Sequence, residues 1–269
     1  MNSSQRTRAL IESAMMVALA TVLSIIKIIE MPYGGSVTIA SALPIAVLAY
    51  RHGTKVGLGA GVVYALLQQL LGLKTLAYFT TWQSVVAIIL LDYLVAFTVF
   101  GLGGIFKKSG LQQKNALLFG VILTTVLRYI CHVISGATVW AGLSIPTEAA
   151  LAYSLGYNAT YMLPEGIILA ACAYYLGSVI DFTRPVPERM AAKELSDGAP
   201  YFAVSGLSLL FLVIADTTLI APVLQDTESG DFTLKYLAEV SWLAVIIITV
   251  LCLAISILFF LLAKRARKK

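Results

Sequence analysis

Charge is what this sequence has least of. Only 12% of its 269 residues are Asp, Glu, Lys or Arg, against 59% hydrophobic. A water-soluble domain carries about 25% charged residues, so this chain has too little polar surface to cover a globule in water. Histidine is nearly absent, with two copies, and tryptophan and cysteine each occur three times. Cys131, Cys172 and Cys252 all fall inside apolar runs without CxxC spacing. That argues against a disulfide or metal framework and leaves bland buried thiols. GxxxxGK[ST], HExxH and GxSxG are absent, so no phosphate-loop ATP site and no common hydrolytic or zinc site is written into the chain. No metal site and no cofactor is expected. Nor is there a visible inverted repeat of the kind that builds many secondary transporters.

Long apolar runs take the place of charge. Stretches of about 18 or more apolar residues read as membrane spans. Candidate spans cover 9–29, 35–50, 55–73, 84–106, 115–134, 151–180, 201–224 and 236–263. These predict an all-α integral membrane protein with six helices followed by two more. The second run is short and holds Pro44, which makes it tilted, broken or partly re-entrant. The sixth contains the loop-like YNATYMLPEG, so its helical part is expected to start late. Arg6 and Arg8 precede the first run in the manner of a signal peptide. That run is long enough to span, and no A-x-A-like cleavage site follows it, so it reads as a retained helix.

Lys and Arg fall in alternate loops. They occur before span 1, between spans 2 and 3, 4 and 5, 6 and 7, and at the end of the chain. The positive-inside rule then puts both termini in the cytoplasm of a multi-pass cell-membrane protein. The net charge of +5 is a topology signal and requires no nucleic-acid partner. Composition divides the chain into three: a six-helix domain over 1–182, a polar, Pro-rich linker over 183–200, and a two-helix extension with a basic tail over 201–269.

Ionisable groups at membrane depth are costly and are functional candidates. Four stand out: Asp92, Arg128, His132 and Glu165. Asp92 lies roughly 13 Å below the outer surface at 1.5 Å per helical residue. Arg128 and His132, four apart, share a helix face. A structural ion pair of Arg128 with Glu165 or Asp92 is the alternative reading. Tyr93, Trp82, Gly136, Trp140, Tyr153, Tyr157, Asn158 and Tyr161 are expected at the same outer face. An aromatic belt accounts for Tyr78 and Tyr175. It accounts less well for an acid, a histidine, an asparagine and several rings converging from two loops and three helix ends. Aromatic faces attract an organic cation, a buried carboxylate supplies its countercharge, and Asn can make two hydrogen bonds to an aminopyrimidine-like edge. The ligand so implied is small, flat, cationic and nitrogen-rich.

The segments MPYGGSVTIASALPI, LLDYLVAFTVFGLGGIF, RYICHVISGATVWAG and YSLGYNATYMLPE resemble, in order and spacing over about residues 9–182, the thiamine-specific substrate-binding component of energy-coupling factor transporters. The resemblance implies a six-helix protein that captures thiamine from outside. It also implies a separate transmembrane coupling protein and two ATPase subunits as partners. It assigns ligand contact to Asp92 and Tyr93 on helix 4, ring stacking to His132 and Trp140 with Gly136 lining, and aminopyrimidine binding to Tyr153 and Asn158. Tyr33, Gly34, Gly35 and Ser36 would form a lid, and an AxxxA face of Ala14 and Ala18 would dock on the coupling protein. Spacing alone reads Ala14 and Ala18 as internal packing. Two departures stand out: Asp92 occupies a position associated with Glu, and the last two spans fall outside the resemblance. Rival readings are a membrane enzyme acting on a lipid or isoprenoid, which lacks the paired carboxylates it would need, and a self-sufficient ion-coupled transporter with Glu165 and Arg128 as its relay.

Overall fold

No Gly or Pro interrupts the chain from Ser3 to Met31, and Ser3–Ile25 forms the first helix, α1. The computed structural model describes residues 3–31, 34–143, 145–190, 199–224 and 235–266. Past Ile25 the β-branched run IIKIIE leaves the helix. Lys27–Glu30 (β1) pairs antiparallel with Ser36–Thr38 (β2). Helix α2 follows at Leu43–His52, with Pro44 in its first turn, where a missing N–H costs little. Gly53, at φ +93°, ends it and leads into α3, Thr54–Leu71. Helix α4 spans Trp82–Lys108, α5 Gln113–Thr138 and α6 Ala150–Val179.

The run at 35–50 is not a membrane span. It divides into β2 and the ten-residue α2, which is about 15 Å long against a hydrocarbon core of about 30 Å. Leu43 to Tyr50 are all buried inside the protein. The segment is apolar because it is core, not because it faces lipid. Helices α1, α4, α5 and α6 are long and apolar enough to cross a bilayer, as are the two C-terminal helices. The molecule is thus an all-α, multi-pass membrane protein. YNATYMLPEG is helical throughout, with Pro164 inside α6. Neighbouring helices make an internal proline tolerable at membrane depth.

Helix α4 is irregular. Thr81 caps it, accepting from the Ser84 amide at 3.3 Å. Residues Ile89–Val95 then form a π-helical stretch, and 3₁₀ turns close the helix at Val99–Leu102 and Ile105–Lys108. Such wide turns are rare and recur at functional sites. Small residues let α3, α4 and α5 approach backbone to backbone. A Cβ on Gly101 would collide with the Gly57 backbone, and one on Gly120 with Gly103.

The end of the bundle where α1 begins is bound by a polar hub. Arg51 takes both oxygens of Glu12 through Nε and Nη2, at 2.7 and 2.9 Å. It also donates to the carbonyls of Phe182, Arg184 and Pro185. His52 meets the same carboxylate at 2.7 Å. Gln113 donates to the carbonyls of Gly177 and Ile180 and accepts from the Phe182 amide.

The chain divides into two compact units, the first running to Arg189. Its tail is a short ladder of Ile180–Asp181 (β3) with Glu188–Arg189 (β4), so the early part of the stretch expected as linker is folded. Residues 191–198 lie outside the described residues. The second unit holds α7, Ala199–Ile220, and α8, Trp242–Ala266. A polar seam joins these two: Ser205 with Ser256 at 2.9 Å, Ser208 to the Cys252 carbonyl, and Thr249 to Asp216 Oδ2 at 2.9 Å.

Candidate functional site

A cavity of about 770 Å³ opens in the first unit, at the end of the bundle opposite the Arg51 hub. It is built where α1 ends, α4 begins, α5 ends and α6 begins. Asp92, buried at 8% exposure, stands in its wall on the π-helical turn of α4. Its Oδ1 lies 3.0 Å from His132 Nδ1, and its Oδ2 accepts from Trp140 Nε1 at 2.9 Å. The three residues singled out as a carboxylate, an imidazole and an indole therefore form one hydrogen-bonded set. A carboxylate can only accept, so His132 Nδ1 carries a proton, and Nε2 is left buried without a partner among the described residues. Trp140 packs edge-on against Phe79 at 4.8 Å and tilted to Tyr78 at 6.1 Å.

The cavity floor is a second set. Arg128 Nη1 donates to Glu165 Oε2 at 2.7 Å, and its guanidinium lies 4.7 Å from the Phe97 ring centre. Thr38 Oγ1 donates to Glu165 Oε1 at 2.6 Å. The ion-pair reading of Arg128 and Glu165 thus holds, and both residues also line the cavity. The Arg128–Glu165 pair cancels, and Asp92 adds a further carboxylate to the buried wall. A partly buried carboxylate in such a wall suits an organic cation as its partner.

Asn158 and Gly136 complete the side towards α6. Asn158 Nδ2 donates to Ser154 O at 2.9 Å and His132 O at 3.3 Å, and its Oδ1 accepts from Tyr161 OH at 2.6 Å. That oxygen keeps a second lone pair. Gly136 lets α5 and α6 close up, since a Cβ there would collide with Ser154 Oγ. Over the cavity lies the 34–38 segment. Gly34 and Gly35 have φ of +106° and +91°, conformations that favour glycine. Gly34 O accepts from Tyr157 OH at 3.0 Å. Gly34, Gly35 and Ser36 all line the cavity, while Tyr33 lies outside the described residues. At the mouth, the hydrogen bond from Lys27 holds the Glu30 carboxyl below its ordinary range, against a smaller opposing effect of burial.

Asp92, Tyr93, His132, Gly136, Trp140 and Asn158 all line this cavity. Tyr93 does so with its hydroxyl turned to Gly72 O and Thr75 Oγ1. Tyr153 is half-exposed and does not line it, and Trp82 is 72% exposed at the start of α4. Tyr78, which a membrane belt would explain, also lies near Trp140. Phe97 and Thr38 carried no sequence signal, because Phe and Thr are ordinary in apolar runs. Ala14 and Ala18 are exposed on α1, so neither is buried by packing within the described chain.

Comparison with known proteins bears on this arrangement. The family model described as thiamine transporter protein (Thia_YuaJ) matches residues 10–181. A thiamine transporter ThiT of Bacillus subtilis strain 168 is 36% identical over 181 residues, which is 63% of this chain and 90% of the relative. A ThiT of Lacticaseibacillus paracasei is 30% identical over 165 residues, covering 55% of this chain and 76% of that one. The solved structure of ThiT from Listeria monocytogenes, at 24% identity and a TM-score of 0.52, covers 64% of this chain and 94% of its own, a likeness of fold. The chain belongs to the thiamine transporter protein family, Thia_YuaJ, through the six-helix unit that carries the cavity.

Proposed function

We propose that this protein is a thiamine-capture subunit of an energy-coupling factor importer. It binds thiamine at the outer face, performs no covalent chemistry, and relies on a separate coupling protein and two ATPase subunits. The observation that carries the reading is the buried carboxylate of Asp92, braced by His132 and Trp140 in the wall of a cavity whose other buried charges cancel. Thiamine carries a permanent positive charge on its thiazolium ring and an aminopyrimidine. Asp92 supplies the countercharge, and the rings of His132, Trp140 and Tyr78 supply faces for a flat cation. The second lone pair on Asn158 Oδ1 is an acceptor for the exocyclic amine.

By the positive-inside rule, Arg51, Lys107 and Lys108 at the far end of the first unit favour a cavity that faces outward and a cytoplasmic start of the chain. The exposed Ala14 and Ala18, four apart on α1, form a small-residue face on which another membrane helix can pack closely, and we assign it to the coupling protein. The closed Arg128–Glu165 pair disfavours the ion-coupled alternative, because a proton relay requires a group free to exchange.

Reconstitution into liposomes tests the assignment. Thiamine uptake is expected with the coupling and ATPase subunits present and ATP inside, and not with this chain alone. Uptake by the chain alone, driven by a proton or sodium gradient, would replace this reading with the secondary transporter.

A further inference from the structure

We propose that Thr38 is a positioning residue: acting through Glu165, it holds the 34–38 segment across the cavity and thereby sets how fast a bound ligand leaves. The proposal rests on the reading of the cavity as a thiamine site.

Tyr157, Tyr161 and Glu165 are spaced by four, so they stand one per turn on a single face of α6. Each meets the 34–38 segment. Tyr157 OH donates to Gly34 O at 3.0 Å. Gly35 sits so close to Tyr161 that a Cβ there would lie 2.7 Å from the ring. Thr38 donates to Glu165 at 2.6 Å.

The third contact differs in kind from the first two. Its acceptor is a carboxylate whose other oxygen is held by Arg128 at 2.7 Å. Thr38 and Glu165 are both buried, at 3% and 6% exposure. A hydrogen bond to an ionised group is about twice as strong as a neutral one, and it strengthens further where burial lowers the local dielectric. The Thr38 hydroxyl has one proton, so giving it to Glu165 leaves its oxygen to accept from Ser41, 2.8 Å away. Two residues on, Ala40 has a φ of +53°, a left-handed conformation unusual for a residue with a Cβ. The chain therefore turns just past the anchored strand, before α2 begins. The strong bond lies at the base of the segment, and the neutral tyrosine contact lies at its glycine tip. Without the base, the segment keeps its ladder to β1 and the two tyrosine contacts, but loses its one charged anchor to α6.

The test is stopped-flow tryptophan fluorescence on the full chain in detergent, with thiamine as the probe. Thr38→Val keeps the shape and removes the hydroxyl. The dissociation rate is expected to rise about tenfold or more, the loss anticipated for a buried hydrogen bond to a charged group. The association rate should not fall, and one thiamine should still bind per chain. Thr38→Ser, which keeps the donor, should restore the dissociation rate to within about twofold, a rescue expected if the hydroxyl is the acting group. Thr38→Ala, smaller than either, repeats the measurement without steric risk. An unchanged dissociation rate in both the Val and Ala variants overturns the proposal. So does a slower association with fewer sites, which marks a collapsed pocket and not a loosened segment. No thiamine signal from the unmodified chain would instead overturn the functional reading, and this proposal with it.

Discussion

Both oxygens of Asp92 are held by rings, one by His132 and one by Trp140, and this makes three side chains interdependent. Replacing Asp92 by Asn removes the charge and turns one acceptor into a donor facing another donor. Thiamine affinity should fall about a hundredfold or more, since a buried cation left without its counterion costs several kcal/mol. A neutral, thiazole-free pyrimidine fragment should lose far less. Equal losses for both ligands, measured by calorimetry, would make Asp92 a brace for the wall and not a countercharge. Trp140→Phe keeps a ring but drops the Nε1 donor. Its effect should exceed that of a bland aromatic swap, because Asp92 Oδ2 then loses its partner. Thiamine-induced quenching of tryptophan fluorescence should shrink with it, and undiminished quenching would place the reporting indole elsewhere.

At the scale of elements, the helix packing around the cavity depends on glycine. In α3 and α4, Gly57 and Gly101 touch backbone to backbone, and neither backbone can yield to a methyl group. Gly101→Ala should destabilise the unit by on the order of 1–3 kcal/mol, the usual cost of overpacking. Gly59→Ala, with nothing within 4 Å of its Cβ position, should leave stability equal or raised. Thermal unfolding in detergent compares the two, and equal melting temperatures would contradict the close approach. Most of the helices are legible in the sequence, because a long apolar run fits few places except lipid. The run at 35–50 misleads because hydropathy reports dryness, and a helix buried in protein is as dry as one in lipid. The β1–β2 hairpin is hidden inside an apolar stretch that continues the first span. The Asp92, His132 and Trp140 triad is visible as scarce residue types at one depth, but its mutual hydrogen bonding is not. That depends on the π-helical turn in α4, which has no signature in composition. The Glu12–Arg51 hub escapes the sequence for a similar reason: the two residues lie on different helices, and only folding joins them.

For the molecule as a whole, the cavity and the last two helices belong to different units. The cavity belongs to the first unit, and the family match ends at residue 181, short of α7 and α8. Ending the chain after Arg189 should leave a folded protein that binds thiamine as the full chain does. A stable truncated protein that binds nothing would show that the last two helices complete the site. Leucine at both Ala14 and Ala18 should abolish copurification with the coupling protein while thiamine binding survives, since both alanines lie on the exposed face of α1. Loss of binding along with assembly would return them to internal packing. The most direct measurement of the central claim is calorimetric titration of thiamine into the purified full chain, without partner subunits, beside Asp92→Asn under the same conditions. The account predicts one thiamine per unmodified chain and a large loss in the variant. Absence of binding by the unmodified chain, or equal affinity in the two, would contradict it.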